Sequence, residues 1–177
     1  NYDPAASFSD NSCITPVLQL GDFYEGGYIV QFNNGVDETN GGTVAINYSD
    51  AFSNLTAKWS SLANDIGTDT SDGAANTINI VASDGFNGTA AWTADGVTHN
   101  GYSDWYLPAL NELQLTSNST GSLYSGLNTN SSLFYWSSTE AGFAPETTVY
   151  KWSPDGNAAG VDSKNEFNSL IFFRKFQ

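Results

Sequence analysis

Basic residues, cysteine, histidine and methionine are the scarce components of this 177-residue chain. Five Lys and Arg face 19 Asp and Glu, for a net charge of −14. A field of that sign repels a phosphate backbone, which argues against nucleic acid as a partner. It disfavours an anionic membrane surface or a sulfated glycan for the same reason. High acidity with little lysine suits salty surroundings, where charges are screened. Cys13 is the only cysteine, so there is no internal disulfide and no cysteine set for zinc. It reads as a small buried or half-buried residue. Methionine is absent, which reads as a processed product or a piece of a longer chain. No apolar run approaches the roughly 20 residues that span a bilayer.

Reactive groups are equally sparse. His99 is the only histidine, and it reads as an exposed loop residue beside Gly101. The chain has no Gly-x-Ser-x-Gly elbow, P-loop or dinucleotide fingerprint. Nineteen acids allow many carboxylate pairs, but no spacing selects one for glycoside cleavage. The sequence therefore reads as non-catalytic. Asp65, Asp69 and Asp72 cluster before Gly73 and offer oxygen ligands for a structural calcium ion. Their register is wrong for an EF-hand, and Ile80 stands near where a closing acid would be needed. The reading is thus no cofactor and a solvated acidic loop, with calcium as the alternative.

Apolar material is plentiful. Hydrophobic residues make up 40% and aromatics 14%, enough for a sizeable core despite the many Asn, Ser, Thr and Gly. Residues 1–21 lack a period and read as an N-terminal arm or linker, with 22–177 as one domain. Gly26–Phe32 predicts a strand, Asn33-Asn34-Gly35 a turn, and Thr43–Ile46 the returning strand. Asp72–Asp84 predicts a helix capped by Asp72 and stopped by Gly85, with Ala74, Ala75, Ile78 and Val81 as its apolar face. Thr89–Val97 and Pro108–Leu115 predict two more, the latter started by Pro108. Residues 117–132 form a polar loop. Phe134–Trp136, Thr148–Trp152 and Ser169–Arg174 predict strands, with a turn at Pro154-Asp155-Gly156. A hairpin, a helical middle and late strands make an α+β protein.

Two blocks stand out: Gly101-Tyr102-Ser103-Asp104-Trp105-Tyr106-Leu107-Pro108 with Asn111-Glu112-Leu113, and Tyr135-Trp136-Ser137-Ser138-Thr139-Glu140. As a pair they resemble the family typified by the C-terminal domain of the Legionella collagen-like adhesin. The same broad fold includes the formylglycine-generating-enzyme group and the variable proteins of diversity-generating retroelements. Further likeness lies in Gly26–Val30, Ile66-Gly67-Thr68, Asn76-Thr77, Ala90-Ala91 and Phe173–Phe176, covering about residues 22–177. The resemblance implies a C-type-lectin-like fold with a twisted antiparallel sheet. The oxidases of that fold use a cysteine pair, which one cysteine cannot reproduce. The family adhesin is trimeric and binds sulfated polysaccharide, a ligand class at odds with the net charge of −14.

The blocks read first as scaffold. Trp105 buries a large ring, Asp104 accepts backbone hydrogen bonds at a turn, and Pro108 opens a helix. Glu112 lies in that helix's first turn, where its charge suits the helix dipole. Trp136 begins a core strand, and Ser137, Ser138 and Thr139 satisfy nearby backbone groups. In this fold the ligand face is expected in the irregular segments between the last strands, here Glu140–Glu146 and Asp155–Asn168. The candidate ligand-binding residues are Glu140, Phe143, Glu146, Tyr150 and Trp152. The functional expectation is an extracellular adhesin-like module for a glycan or protein, on a cell surface, fibre or phage particle. The alternative is a self-assembling structural subunit, a homo-oligomer built through the 1–21 arm.

Overall fold

A computed structural model describes residues 17–47, 56–116, 127, 132–155 and 158–177. Cys13, residues 1–16 of the expected arm and most of the polar 117–132 loop lie outside the described residues. Among the described residues the architecture is α+β, with two sheets and three helices. The first sheet joins β1 (Phe23–Tyr24), β2 (Gly27–Phe32), β3 (Gly42–Asn47) and the last strand, β9 (Ile171–Phe176), all antiparallel. The second has the order β4 (Thr56–Lys58), β8 (Phe167–Ser169), β5 (Tyr135–Glu140), β6 (Thr148–Ser153), β7 (Ala158–Ser163). Only β5 and β8 run parallel. Between β4 and β5 lie α1 (Gly73–Asp84), α2 (Ala90–Gly96) and α3 (Leu110–Leu113). Among the described residues no helix is long and apolar enough to cross a membrane.

The middle of the first sheet is buried on both faces. Strand residues alternate sides, and here both sides are apolar. Ile29, Val44, Ile46, Phe172 and Phe176 join a core with Trp59, Trp105 and Trp136. Val30, Ala45, Ile171 and Phe173 join a second core with Tyr106, Tyr135 and Trp152. Leu18 packs against the first core, and the Gly21 N–H bonds to Ile29, so residues 18–21 are already attached to the domain.

Helix α1 starts and stops as its sequence predicts. Asp72 caps Ala75 N–H at 3.1 Å, and Gly85 closes the helix in the left-handed conformation at φ 60°. Ala74 and Val81 pack half-buried against the cores as expected, but the rest of the buried face differs. Ile78 is 65% exposed, while Gly73, Asn76, Thr77, Ile80 and Asp84 point inward. The polar members have partners there: Asn76 Nδ2 donates to Ser138 Oγ, and Thr77 Oγ1 accepts from Leu107 N–H. These bonds offset the usual cost of burying polar groups, although Asp84, which accepts Ser61 N–H through Oδ2, keeps Oδ1 without a partner among the described residues.

Two more expectations are corrected. The third helix begins at Leu110, not Pro108: Ala109 is extended, the Pro108 carbonyl accepts from Ser138 N–H, and a 3₁₀ turn over Gln114–Thr116 follows. Residues 155–168 are not wholly irregular. They contain β7, paired over six residues with β6, and the first two residues of β8. Ala158-Ala159-Gly160 carries little strand propensity, and the pairing with β6 supplies what the side chains do not.

Candidate functional site

The two sequence blocks meet Ile66-Gly67-Thr68 and Asn76-Thr77 in a polar seam. In the first block, Glu112 reaches back over the start of α3. Its Oε2 accepts from Ala109 N–H (2.8 Å) and Gly73 N–H (3.0 Å), and its Oε1 accepts from the Tyr106 hydroxyl (3.0 Å). The carboxylate thus caps α3 as expected, and it also holds the first residue of α1. Burial pushes the Glu112 carboxyl above its ordinary value, and hydrogen bonds with the Lys175 charge offset only part of that. The Tyr106 phenol is raised by burial first and by the Glu112 charge second.

That shift has a testable sign. A carboxyl with a raised pKa binds its proton more tightly in the folded state. The stability it contributes is full below its ordinary value of 4.5 and is lost as pH rises through its folded value. Glu112→Gln keeps an oxygen acceptor and removes the titration. We expect the difference in unfolding free energy between parent and variant to grow more favourable to the variant as pH rises through that window. Parallel pH curves in urea unfolding would refute this.

Trp105 is buried in the first core, and its Nε1 donates to Tyr102 O. Asp104 departs from its expected role. Its Oδ1 takes the Arg174 Nε at 2.6 Å in place of turn N–H groups. Arg174 also bonds Glu25 and lies over the Tyr102 ring at 3.7 Å, while Tyr102 packs over Gly26. His99 is half-buried against Trp105, not exposed, and desolvation lowers its pKa.

In the second block, Trp136 is buried and donates to Ala57 O at 2.7 Å. Ser137 Oγ donates to Tyr150 O, and Thr139 Oγ1 donates to Asp69 O. Glu140 and Trp152, expected on the ligand face, are not reachable there. Trp152 is fully buried in the second core. Glu140 is 6% exposed and pairs with Lys164 at 2.5 Å. Its carboxylate also accepts from the N–H groups of Ile66, Gly67 and Thr68. Lys164 donates to Asn64 O and sits over the Trp59 ring at 4.6 Å. The sequence reading missed Lys164. Its signal was rarity, as one of five cations against 19 acids.

The other candidates stay at the surface. Phe143 is 74% exposed, Glu146 is exposed and Tyr150 is half-buried on β6 beside Val161. Asp65, Asp69 and Asp72 each accept a local backbone N–H, from Gly67, Ser71 and Ala75. Among the described residues no three His, Cys, Asp or Glu side chains converge to hold a metal.

A groove also opens beside the first block, on the exposed edge of the second core. It has a volume of about 360 Å³ and is lined by strand residues of the first sheet, by Ser71, and by Asn111, Glu112 and Leu115. No protein-family model matches the chain, and no curated protein matches it.

Proposed function

We propose that this chain is a non-catalytic, extracellular or surface-displayed binding module of C-type-lectin-like fold that recognises a glycan or protein ligand. The α+β architecture, the joining of the two sequence blocks with Ile66-Gly67-Thr68 and Asn76-Thr77 in one polar seam, and the net charge of −14 all support this reading. The Phe143 loop carries it. Phe143 stands at a turn tied down by bonds from Ala144 N–H to Ala141 O and from Thr147 and Thr148 N–H to Ala144 O. The Thr148 hydroxyl also donates to Ala144 O at 2.8 Å. A large ring held out on a pinned backbone loses little entropy on binding and makes an efficient anchor.

Phe143→Ala is the corresponding test. The ring is mostly in water, so the variant's unfolding free energy should stay within about 0.5 kcal/mol of the parent. Binding to whatever glycan or protein the parent captures on an array should fall about tenfold or more. Retained binding in a folded variant would remove Phe143 from the site. An array on which the parent itself binds neither glycan nor protein would remove the binding-module reading.

A further inference from the structure

We infer that the groove between the first sheet and α3 is a binding site for a neutral, hydroxyl-rich sugar ring. This rests on the binding-module reading above and places a ligand on residues other than the loops after Glu140.

The groove follows from register. Gln31, Thr43 and Lys175 are partners across β2, β3 and β9, so they form one transverse row on the same sheet face. Two residues further along β3 and β9, the same face carries Ala45 and Phe173 and is closed by the second core. At the Gln31 row the apolar cover stops. The opposite wall is Ser71 and the first turn of α3, where Asn111 and Glu112 stand. Thr43 and Glu112 form a buried floor, while Gln31, Asn33, Ser71, Asn111 and Lys175 are exposed around it. A volume of about 360 Å³ lies at the small end of the roughly 300–1,000 Å³ typical of ligand pockets.

The chemistry selects the ligand. Sugar hydroxyls both donate and accept, and side-chain amides do the same. Two of the three amides are already oriented. Asn33 Nδ2 donates to Asn40 O at 2.8 Å, and Asn111 Nδ2 donates to Ser71 Oγ at 2.9 Å. Among the described residues their amide oxygens have no donor, which leaves both able to accept from a ligand hydroxyl. Lys175 makes no ion pair among the described residues, where Lys151, Lys164 and Arg174 each do. Its ammonium lies over the Tyr106 ring at 5.9 Å, a contact that leaves its N–H groups able to donate into the groove. A single ammonium beside Glu112, in a chain of net charge −14, is too little to hold phosphate or sulfate. An adjoining compartment of about 240 Å³ shares Gln31 and Leu115 and adds Leu20, Val30 and Phe32. Polar on one side and apolar on the other, the pair of compartments matches a ring with hydroxyl edges and C–H faces.

The test is an amide chemical-shift titration of the full chain with methyl glycosides of neutral hexoses, with N-acetylhexosamines, and with glucuronic acid as the charged arm. Neutral sugars are expected to shift Gln31, Asn33, Thr43, Ser71, Asn111 and Lys175. Lys175→Gln and Asn111→Ala, each checked for an intact spectrum, should weaken the apparent Kd about tenfold. Preference for glucuronic acid would overturn the neutral assignment. Shifts confined to the Phe143 turn would overturn the groove and leave the binding-module reading standing. No shift with any sugar would also overturn the groove. The broader reading would then be decided by the parent's capture of larger glycans or proteins on an array.

Discussion

Lys164→Met is expected to lower the free energy of unfolding by about 3–5 kcal/mol, the cost of stripping one partner from a buried ion pair. Methionine keeps the stem that packs on Trp59 and deletes the ammonium. Glu140 would then remain buried with three backbone N–H donors and no counter-charge, and Asn64 O would lose its donor. Three parts of the chain meet at this pair: the loop that follows Trp59, the end of β5, and the turn between β7 and β8. The loss should therefore loosen all three together. Adding Glu140→Gln to Lys164→Met should restore part of the stability. The amide is neutral, and its oxygen still accepts from residues 66–68. Urea unfolding of the two single variants and the double variant gives the coupling directly. A Lys164→Met loss under about 0.5 kcal/mol, the range of surface changes, would mean that the pair contributes nothing beyond its packing.

Local patterns made much of the fold legible. Asp72 and Gly85 bracket α1 because capping chemistry is contained in a few neighbouring residues. The aromatic and β-branched run of β2 is equally local. What escaped depended on distant partners. Strand β7 is made by its register with β6, which no residue of Ala158-Ala159-Gly160 advertises. Ile78 and Thr77 are adjacent and could exchange faces by hydropathy alone. The choice was made by Leu107 N–H and Gly73 O, which satisfy the Thr77 hydroxyl inside.

The candidate site shows the same division. Glu112 was legible as a helix-start charge because Ala109 is three residues away. Its bond to Gly73 spans 39 residues and left no trace in the pattern. Glu140 read as the first residue of a ligand loop. Its fate depended on Lys164, 24 residues on, and on a backbone cradle more than 70 residues back. Phe143 and Trp152 were both aromatics of the late strands, and composition cannot separate the exposed ring from the core ring. The groove needed a row across three strands and a helix wall, information carried only by register.

Gly73→Ala is expected to destabilise by about 2–4 kcal/mol, although alanine is the better helix former by roughly 1 kcal/mol. Gly73 has ordinary helical backbone, so conformational strain is not the cause. The cause is space. An added Cβ would collide with Glu112 Oε2 and lie 2.6 Å from Ala109 N and 2.7 Å from Leu107 O. The carboxylate could swing aside, but it would surrender its bonds to Gly73, Ala109 and Tyr106. The two backbone atoms cannot swing. They belong to the extended segment that leads into α3, and Leu107 N–H is bonded to Thr77 of α1. Gly96→Ala is the control. Gly96 ends α2 with nothing within 4 Å of its would-be Cβ and should gain a few tenths of a kcal/mol. Equal effects from the two substitutions would show that helix propensity governs both sites. Opposite signs are expected, and Gly73→Ala with Glu112→Ala should cost less than the sum of the two. Removing the carboxylate relieves one collision, while the contacts with Ala109 N and Leu107 O persist.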